Sequence, residues 1–454
     1  MKNDLERDLG LYATITISMG AMIGSGIFVL PALGFTKAGP AVVVAYILAG
    51  LVVLPAALSK AEMATAMPES GGTYLYIDRA MGPLAGTVAG IGAWFSLVFK
   101  SSFALVGLGA YLLLLVPLSG GLVKAVALGL AALIVVLNVG GTEQSGKAQS
   151  IIVTAVVVAL AAYVLNAGVA VDTARFQGFT DKGAGGVVTA AAFVFVSYAG
   201  VTKIASVAEE IENPDRNLPL GILISMGVMM LLYTLVVTAV VGLNDPAVLS
   251  TGGPGNGPSL TPMADGAGQL LGGFGVVVIA VVAILALTSM ANAGVLASSR
   301  FPLAMSRDSL APKGLARVSE RFQTPQNAIV ATGVLLLALI AFVPVVELAK
   351  LASAFKILVF SISNVALIVF RRSGVDSYQP SFRAPGYPFV QIVGVVGGFA
   401  LLTQMGTIPI LGAAGIIVGG VAWYLVYGRS RTDRDGALGT ILERRRGNDP
   451  VSSD

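Results

Sequence analysis

Apolar segments of about twenty residues recur along the chain from Leu9 to Tyr427, and this recurrence limits the fold more than any other feature. A bilayer core of about 30 Å is crossed by about 20 helical residues, so each segment is a candidate transmembrane helix. The mean hydropathy of +0.85 and the 11% of charged residues agree with this interpretation. The sequence therefore predicts an all-α polytopic membrane protein with twelve transmembrane helices.

The distribution of basic residues predicts the orientation of these helices. If the N-terminus is cytoplasmic, most of the 28 Lys and Arg residues fall on the cytoplasmic side, including Lys60, Arg79 and the arginines after Tyr427. We therefore expect a multi-pass protein of the cytoplasmic (inner) membrane with both termini in the cytoplasm. The basic residues are scattered at loop ends and do not form one patch with interleaved aromatics, so we expect no nucleic-acid partner.

The chain contains neither Cys nor His. Disulfides, thiol nucleophiles, histidine proton relays and Cys/His metal sites are therefore excluded. We expect no cofactor and no metal, and without a nucleophile–base pair we do not expect an enzyme. Any titrating group within the membrane must be Lys, Arg, Asp, Glu or Tyr.

Glycines interrupt the first apolar segment, where residues 20–28 read GAMIGSGIF. Unwound backbone at membrane depth is tolerated only where it is buried in protein or lines a cavity, so we predict that helix 1 breaks near Gly24 to Gly26 and that the break is a ligand site. A Gly20-xxx-Gly24 pair is alone also an ordinary helix-packing motif. Gly26, however, points away from that face.

A second interruption is predicted in helix 6, within residues 195–203, five helices after the first. Corresponding breaks in two halves indicate an inverted-repeat transporter with its binding site between the repeats. The predicted divisions are the cytoplasmic N-terminus 1–8, the first repeat (helices 1–5) 9–168, the second repeat (helices 6–10) 186–371, helices 11 and 12 at 388–427, and a disordered cytoplasmic tail 428–454.

The two breaks suit a zwitterionic ligand. Free N–H groups where helix 1 restarts at Ser25 and Gly26 favour a carboxylate. Carbonyl groups that end the first half-helix and those of helix 6 are acceptors for an ammonium group. We therefore predict an amino acid as the small-molecule substrate, bound by Met22, Ile23, Gly24, Ser25, Gly26, Val196, Ser197, Ala199 and Gly200.

Aromatic and hydroxyl side chains near the breaks have two interpretations each. Phe28, Phe195 and Tyr198 either gate the substrate or simply pack in the interior. Thr288 and Ser289 of helix 8 either line a cation position facing helix 1 or bond back to their own backbone, as most hydroxyls in membrane helices do.

Three lysines, Lys100, Lys203 and Lys356, fall within apolar segments. An ionisable residue within the membrane is costly and by default functional. Lys203 lies one turn past Gly200, where its amine could reach the cavity and act as a proton carrier or replace a sodium ion. Alternatively, it pairs with the acidic cluster that includes Glu209 and Glu210. Lys100 and Lys356 are each expected to be structural, bonded to a carbonyl or reaching water.

Several motifs together resemble those of the amino acid, polyamine and organocation (APC) superfamily, and the resemblance covers most of the chain. The motifs are GAMIGSGIF at 20–28, Ala61-Glu62 with MPESGGTY at 67–74, AEEIENPDRNLP at 208–219, and ASSR at 297–300 with AMSRD at 304–308. The resemblance implies a LeuT-like fold, a 5+5 inverted repeat plus two C-terminal helices with helices 1 and 6 discontinuous. It also implies alternating access, with the substrate carboxylate at Ser25 and Gly26.

The sequence departs from the superfamily at one position. Proton-coupled members that resemble this chain carry a lysine in helix 5, and here the matching position, near Val156, is apolar. The leading hypothesis is a secondary active transporter of amino acids, coupled to protons through Lys203 or Lys100. The alternatives are an amino acid exchanger or uniporter, a carrier of another organic cation or an inorganic ion, and a receptor that does not transport. The oligomeric state is left open.

Overall fold

The structure is a computed structural model that describes residues 9–67, 72–116, 122–141, 146–322, 324–376, 378–432 and 434–445. The predicted N-terminal segment 1–8 and the end of the predicted tail, 446–454, lie outside the described residues. The described part consists of helices and their connections, because a chain in lipid must satisfy its backbone polar groups internally.

The described residues up to 167 form eight α-helices. The predicted first span corresponds to the first three of them, because helix 1 is interrupted as predicted. The helices are α1 Leu11–Met22, α2 Ser25–Phe28, α3 Leu30–Ala38, α4 Val42–Ala66, α5 Gly72–Met81, α6 Pro83–Leu113, α7 Val123–Val139 and α8 Gly146–Ala167.

The second half contains a long 3₁₀ segment, Phe195–Glu210, which continues α9. Its longest helix, α12, has 46 residues and bends at Gly272, where φ is +58°, a value that favours glycine. The α-helices here are α9 Gly183–Val194, α10 Pro214–Leu243, α11 Pro246–Thr251, α12 Pro262–Arg307, α13 Gln326–Phe342, α14 Val345–Ser373, α15 Phe389–Thr403, α16 Thr407–Trp423 and α17 Ala437–Arg445.

Eight helical stretches in the described ranges are long and apolar enough to cross a membrane, and four shorter apolar helices of 10–17 residues accompany them. Large apolar side chains such as Leu165, Phe274 and Val426 lie on the outer surface, exposed by 76%, 71% and 86%. A surface of this kind is solvated by lipid. The polytopic all-α fold is therefore confirmed, whereas the count of twelve spans stays a prediction.

The first helix lies at the centre of the molecule, where α1 packs against the 3₁₀ segment, α8, α10 and α12. A short parallel β-bridge joins the start of α1 to the end of the 3₁₀ segment. The Leu9 N–H donates to the Glu210 carbonyl at 3.0 Å, and the Glu212 N–H donates to the Leu9 carbonyl at 3.0 Å. Helices 1 and 6 are therefore tied together by their main chains at this end.

The prediction of a disordered tail is wrong for residues 428–445. The chain forms α17, which packs on α5 and α14, and Ala437 is buried. Arg434 bridges Asp78 of α5 and Asp308 at the end of α12, at 3.4 and 2.9 Å. The polar composition of the tail suggested disorder, but these carboxylates and the apolar side chains of Ala437 and Ile441 give it partners.

Candidate functional site

The helix 1 break lies where the glycines predicted it. α1 ends at Met22, Ile23 is extended, and α2 starts at Ser25. The first backbone hydrogen bonds after the break run from Ile27 and Phe28 to the Gly24 carbonyl, at 3.0 and 3.1 Å. The N–H groups of Gly24, Ser25 and Gly26 thus have no acceptor among the described residues. The Ser25 hydroxyl is also buried without a hydrogen-bond partner.

The interruption of helix 6 differs from the predicted unwinding. The α-helix ends at Val194 and the chain continues as a 3₁₀ helix, which changes the hydrogen-bond register. Ser353 of α14 stabilises the junction, because its hydroxyl accepts from the Val196 N–H at 3.2 Å and donates to the Phe193 carbonyl at 2.8 Å. The discontinuity is real, but it consists of a change in winding.

Glycines allow helices 1 and 6 to touch at the break. A Cβ atom on Gly26 would lie 2.7 Å from the Ser197 Oγ atom and 2.9 Å from its Cα atom. A Cβ atom on Gly200 would overlap the Ala21 carbonyl, and one on Gly24 would overlap the Met290 sulfur atom. The predicted binding residues are therefore brought together, with Gly24 and Gly26 covered by side chains of α12 and helix 6.

Tyrosines bind several carbonyl groups around the break. Tyr233 donates to the carbonyls of Met22 and Ser197, at 2.7 and 3.3 Å. Tyr46 donates to the Gly26 carbonyl at 2.7 Å. Sequence reasoning missed these tyrosines, although a tyrosine in the middle of a membrane helix must find an acceptor for its hydroxyl, and the ends of a broken helix offer carbonyl groups.

The three predicted gating residues pack against other aromatic rings. The ring of Phe28 is 5.9 Å from that of Tyr111, and the ring of Phe195 is 5.8 Å from that of Phe360. Tyr198 lies 5.0 Å from Tyr233 and is buried, with its hydroxyl unpartnered among the described residues. In this conformation the packing interpretation fits, and a gating role stays a prediction.

A central cavity of about 600 Å³ lies directly below the break and opens at the end of the molecule that holds α5. Ala199 and Gly200 belong to its wall, together with Gly20 and Ala21 of α1, whereas residues 22–26 do not. The cavity thus borders the predicted site on the side of α5 without entering it. Basic residues outnumber acidic ones on the wall, which holds Arg79, Lys100, Lys203, Arg300, Arg307 and Lys356 against Glu210 and Asp308.

All three predicted lysines line the central cavity. Lys100 donates to the Ala21 carbonyl at 3.1 Å, so the predicted carbonyl partner exists and belongs to helix 1 just before the break. Lys203 has no acceptor for its Nζ atom in the described part of the chain, and the side chain of its alternative partner Glu209 is not described.

The positive-inside count placed Lys60 in the cytoplasm, and the structure shows it fully buried in α4. Its Nζ atom donates to the hydroxyls of Thr73 and Thr202, at 2.6 and 3.3 Å. Its position in the sequence, close to the predicted end of helix 2, gave no signal of this burial.

Of the two hydroxyls predicted on helix 8, which is part of α12 in the structure, Ser289 contacts helix 5, which is α8. Ser289 donates to the Gln149 side chain of α8 at 2.7 Å, whereas no described partner is seen for Thr288. The Gln149 amide also lies against Gly20, where an added Cβ atom would be 2.6 Å from its Nε2 atom. Val156 is buried. The polar residue of helix 5 that reaches helix 1 is therefore Gln149, a neutral group that sequence reasoning missed.

Metal binding has no support in the described ranges, where no group of three or more His, Cys, Asp and Glu side chains could hold an ion. The polar groups at the break are instead backbone N–H and carbonyl groups. Together with a deep cavity beside them, they can hold a small molecule that carries both a negative and a positive group.

The chain is similar to several known transporters. The chain is 30% identical over 451 residues to the branched-chain amino acid permease BcaP of Bacillus subtilis, with 95% of each chain covered. It is 29% identical to the methylthioribose transporter of the same species, with 86% of each covered. It is 28% identical to the vacuolar cationic amino acid transporter 4 of Arabidopsis thaliana, covering 82% of this chain and 65% of that one. The family model for amino acid permeases matches residues 9–428, and the chain belongs to that family.

Proposed function

We propose that the protein carries amino acids across the cytoplasmic membrane by alternating access, with the substrate bound at the helix 1 break. The observation that carries this proposal is the set of N–H groups at Gly24, Ser25 and Gly26 that find no acceptor among the described residues, beside the Ser25 hydroxyl, which has no described partner either. Donors of this kind are costly to bury unless a ligand accepts from them. A substrate carboxylate is such an acceptor.

The ammonium group of the substrate binds carbonyl groups on the other side of the break. The predicted acceptors at Met22 and Ser197 already receive the Tyr233 hydroxyl, but a carbonyl oxygen has two lone pairs and can accept a second hydrogen bond. Ile23, Val196 and Ala199 supply further carbonyls. Main-chain groups of the protein thus bind the carboxylate and ammonium groups of the substrate, and the substrate side chain points toward the central cavity.

The conformation described here is open toward one side of the membrane. Arg79, Arg300 and Arg307 surround the mouth of the cavity, and by the positive-inside rule this side is cytoplasmic. Tyr46, Tyr111 and Phe28 fill the space on the opposite side of the break. Release into the cytoplasm requires Met290 to move away from Gly24 and Ser197 to move away from Gly26.

Uptake into proteoliposomes tests the proposal. The Ser25→Pro and Gly26→Val variants should each weaken amino acid binding by about 100-fold or more, because each removes or obstructs charge-assisted hydrogen bonds of about 1.5–3 kcal/mol. Gly227→Val is the matched control, since nothing lies within 4 Å of a Cβ atom there. Unchanged affinity in both site variants would place the substrate elsewhere.

Proton coupling through Lys203 is the mechanism we propose for energising uptake, with Lys100 as the second candidate. Lys203 faces the cavity one turn beyond Gly200, where a change of its charge alters the field at the break. The alternative function is amino acid exchange without a coupling ion, and the position of Gln149 favours it. A neutral amide, Gln149, occupies the space between Gly20 and Ser289, where a coupling cation would contact both helices.

A further inference from the structure

The inner wall of the central cavity has an unbalanced positive charge. Lys100 of α6, Lys203 of the 3₁₀ segment and Lys356 of α14 all face it, and Lys100 and Lys356 are each only 6% exposed. Buried Lys60 stands behind Lys356, and the Nζ atoms of the two lie 4.4 and 4.9 Å from the centre of the Phe360 ring.

The lysines differ in how well their ammonium groups are satisfied. Lys100 has the Ala21 carbonyl, and Lys60 has two threonine hydroxyls. For Lys356 the described residues offer the face of Phe360 and no hydrogen-bond acceptor. A buried cation without an anion or a full set of acceptors is strongly unfavourable, so this position is suited to a negatively charged ligand.

Asp308, one carboxylate of the cavity wall, is engaged by groups other than these lysines. Asp308 lies at the mouth, where it binds Arg434 at 2.9 Å and accepts from Tyr74 at 2.7 Å. Glu210 ends the 3₁₀ segment, where its main-chain carbonyl accepts from the Leu9 N–H. Among the described residues, the deep part of the cavity therefore presents three lysines that form no ion pair, next to the break where the N–H groups of residues 24–26 have no described acceptor.

We propose that the substrate carries an acidic side chain, so that this protein transports dicarboxylic amino acids such as aspartate and glutamate. This inference rests on the proposed amino acid transport. The α-carboxylate binds the N–H groups at Ser25 and Gly26, and the side-chain carboxylate extends into the cavity toward Lys356. A cationic side chain would meet like charges there, and an aliphatic one would leave Lys356 without a partner.

Thermal-shift titration of the purified full-length protein tests the substrate class, because a ligand that binds the folded state raises its melting temperature. The ligands are glutamate against glutamine, aspartate against asparagine, and leucine and lysine as aliphatic and cationic representatives. Glutamate and aspartate should reach half of their maximal shift at concentrations at least about tenfold lower than their amides, since one charge-assisted pair is worth about that factor.

Substitutions on α14 then test whether Lys356 is responsible for the preference for acidic amino acids. Lys356→Met should lower the affinity for glutamate to that for glutamine, and Lys356→Arg should retain the preference for glutamate. Lys350→Met is the control, because Lys350 lies on the same helix and pairs with Glu347 outside the cavity. The comparison of variants stays informative even where Lys356→Met is less stable, because it uses the ratio of the glutamate and glutamine affinities measured on the same variant.

The outcomes separate the two proposals. A preference for leucine, lysine or the amides, or an acidic preference that Lys356→Met leaves unchanged, would overturn the acidic-substrate inference and leave amino acid transport standing. If none of the six amino acids raises the melting temperature, and none of them is taken up into proteoliposomes, the proposed function itself is contradicted.

Discussion

Single glycines and hydroxyls decide the geometry at the helix 1 break. Gly26 permits contact with Ser197, and Ser25 brings a buried hydroxyl without a described partner next to three free N–H groups. The GAMIGSGIF pattern predicted this place because glycines in a membrane helix mark where backbone comes free or close. It could not predict that Met290 covers Gly24, because that contact depends on how α12 packs against helix 1.

Lys203 is the residue on which the coupling hypothesis depends. We expect Lys203→Ala to flatten the pH dependence of uptake into proteoliposomes while the protein stays folded, because the group that carries the proton is removed. The measurement is the initial rate of uptake between pH 5 and 8 in liposomes of fixed internal pH.

Lys350→Ala serves as the control for Lys203, since it changes a lysine outside the cavity. If Lys203→Ala retains the pH profile of the unmodified protein, Lys203 is not the coupling group. A flat profile in the unmodified protein itself would instead favour exchange or uniport, as the neutral Gln149 suggests.

The elements around the site show where sequence reasoning ends. An α-helix that becomes a sixteen-residue 3₁₀ helix leaves no glycine-rich signature, because the change at Val194 is stabilised by Ser353 from a distant helix. Tyr233 likewise belongs to α10 and joins helices 1 and 6 only in the folded protein. The sequence predicts the helices, the break in helix 1 and the place of the discontinuity in helix 6, whereas the form of that discontinuity and the bonds between helices follow from packing.

Removing the Tyr233 hydroxyl tests how much that link contributes. Tyr233→Phe leaves the Met22 and Ser197 carbonyls without this donor and should lower the melting temperature by roughly 2–6 °C, from about 1–3 kcal/mol for a buried hydrogen-bonding group. Tyr12→Phe is the control, because its hydroxyl bonds Thr154 at the exposed surface. Equal melting temperatures for Tyr233→Phe and the unmodified protein would show that the link adds no stability.

At the scale of the whole molecule, the C-terminal segment closes a network at the mouth of the cavity. Arg434 contacts Asp78 and Asp308, and Tyr74 donates to Asp308. Burial raises the pKa of Asp78, and the nearby Asp308 raises it further, whereas Arg434 and Arg79 lower it. A raised pKa in the folded state means that the Asp78 contribution to stability is present at low pH and is lost as pH rises through that pKa.

Arg434→Met removes one of the cations that favour ionised Asp78. The variant should lose about 1–3 kcal/mol of unfolding free energy at pH 7.5 and less at pH 4, where protonated Asp78 needs no guanidinium group. Thermal unfolding at both pH values measures this difference. Arg429→Met, an exposed arginine of the same segment, should show no such dependence, and a pH-independent loss in Arg434→Met would contradict the role of Asp78.

The β-bridge between Leu9 and Ile211 has a consequence for the transport cycle. Main-chain bonds join the beginning of helix 1 to the end of helix 6, and Gly200 packs against Ala21. We therefore expect α1 and the 3₁₀ segment to move together as one rigid body. In the proposed transport cycle, the N–H donors for the carboxylate and the carbonyl acceptors for the ammonium group would then separate in one movement, and the substrate would lose both contacts at once.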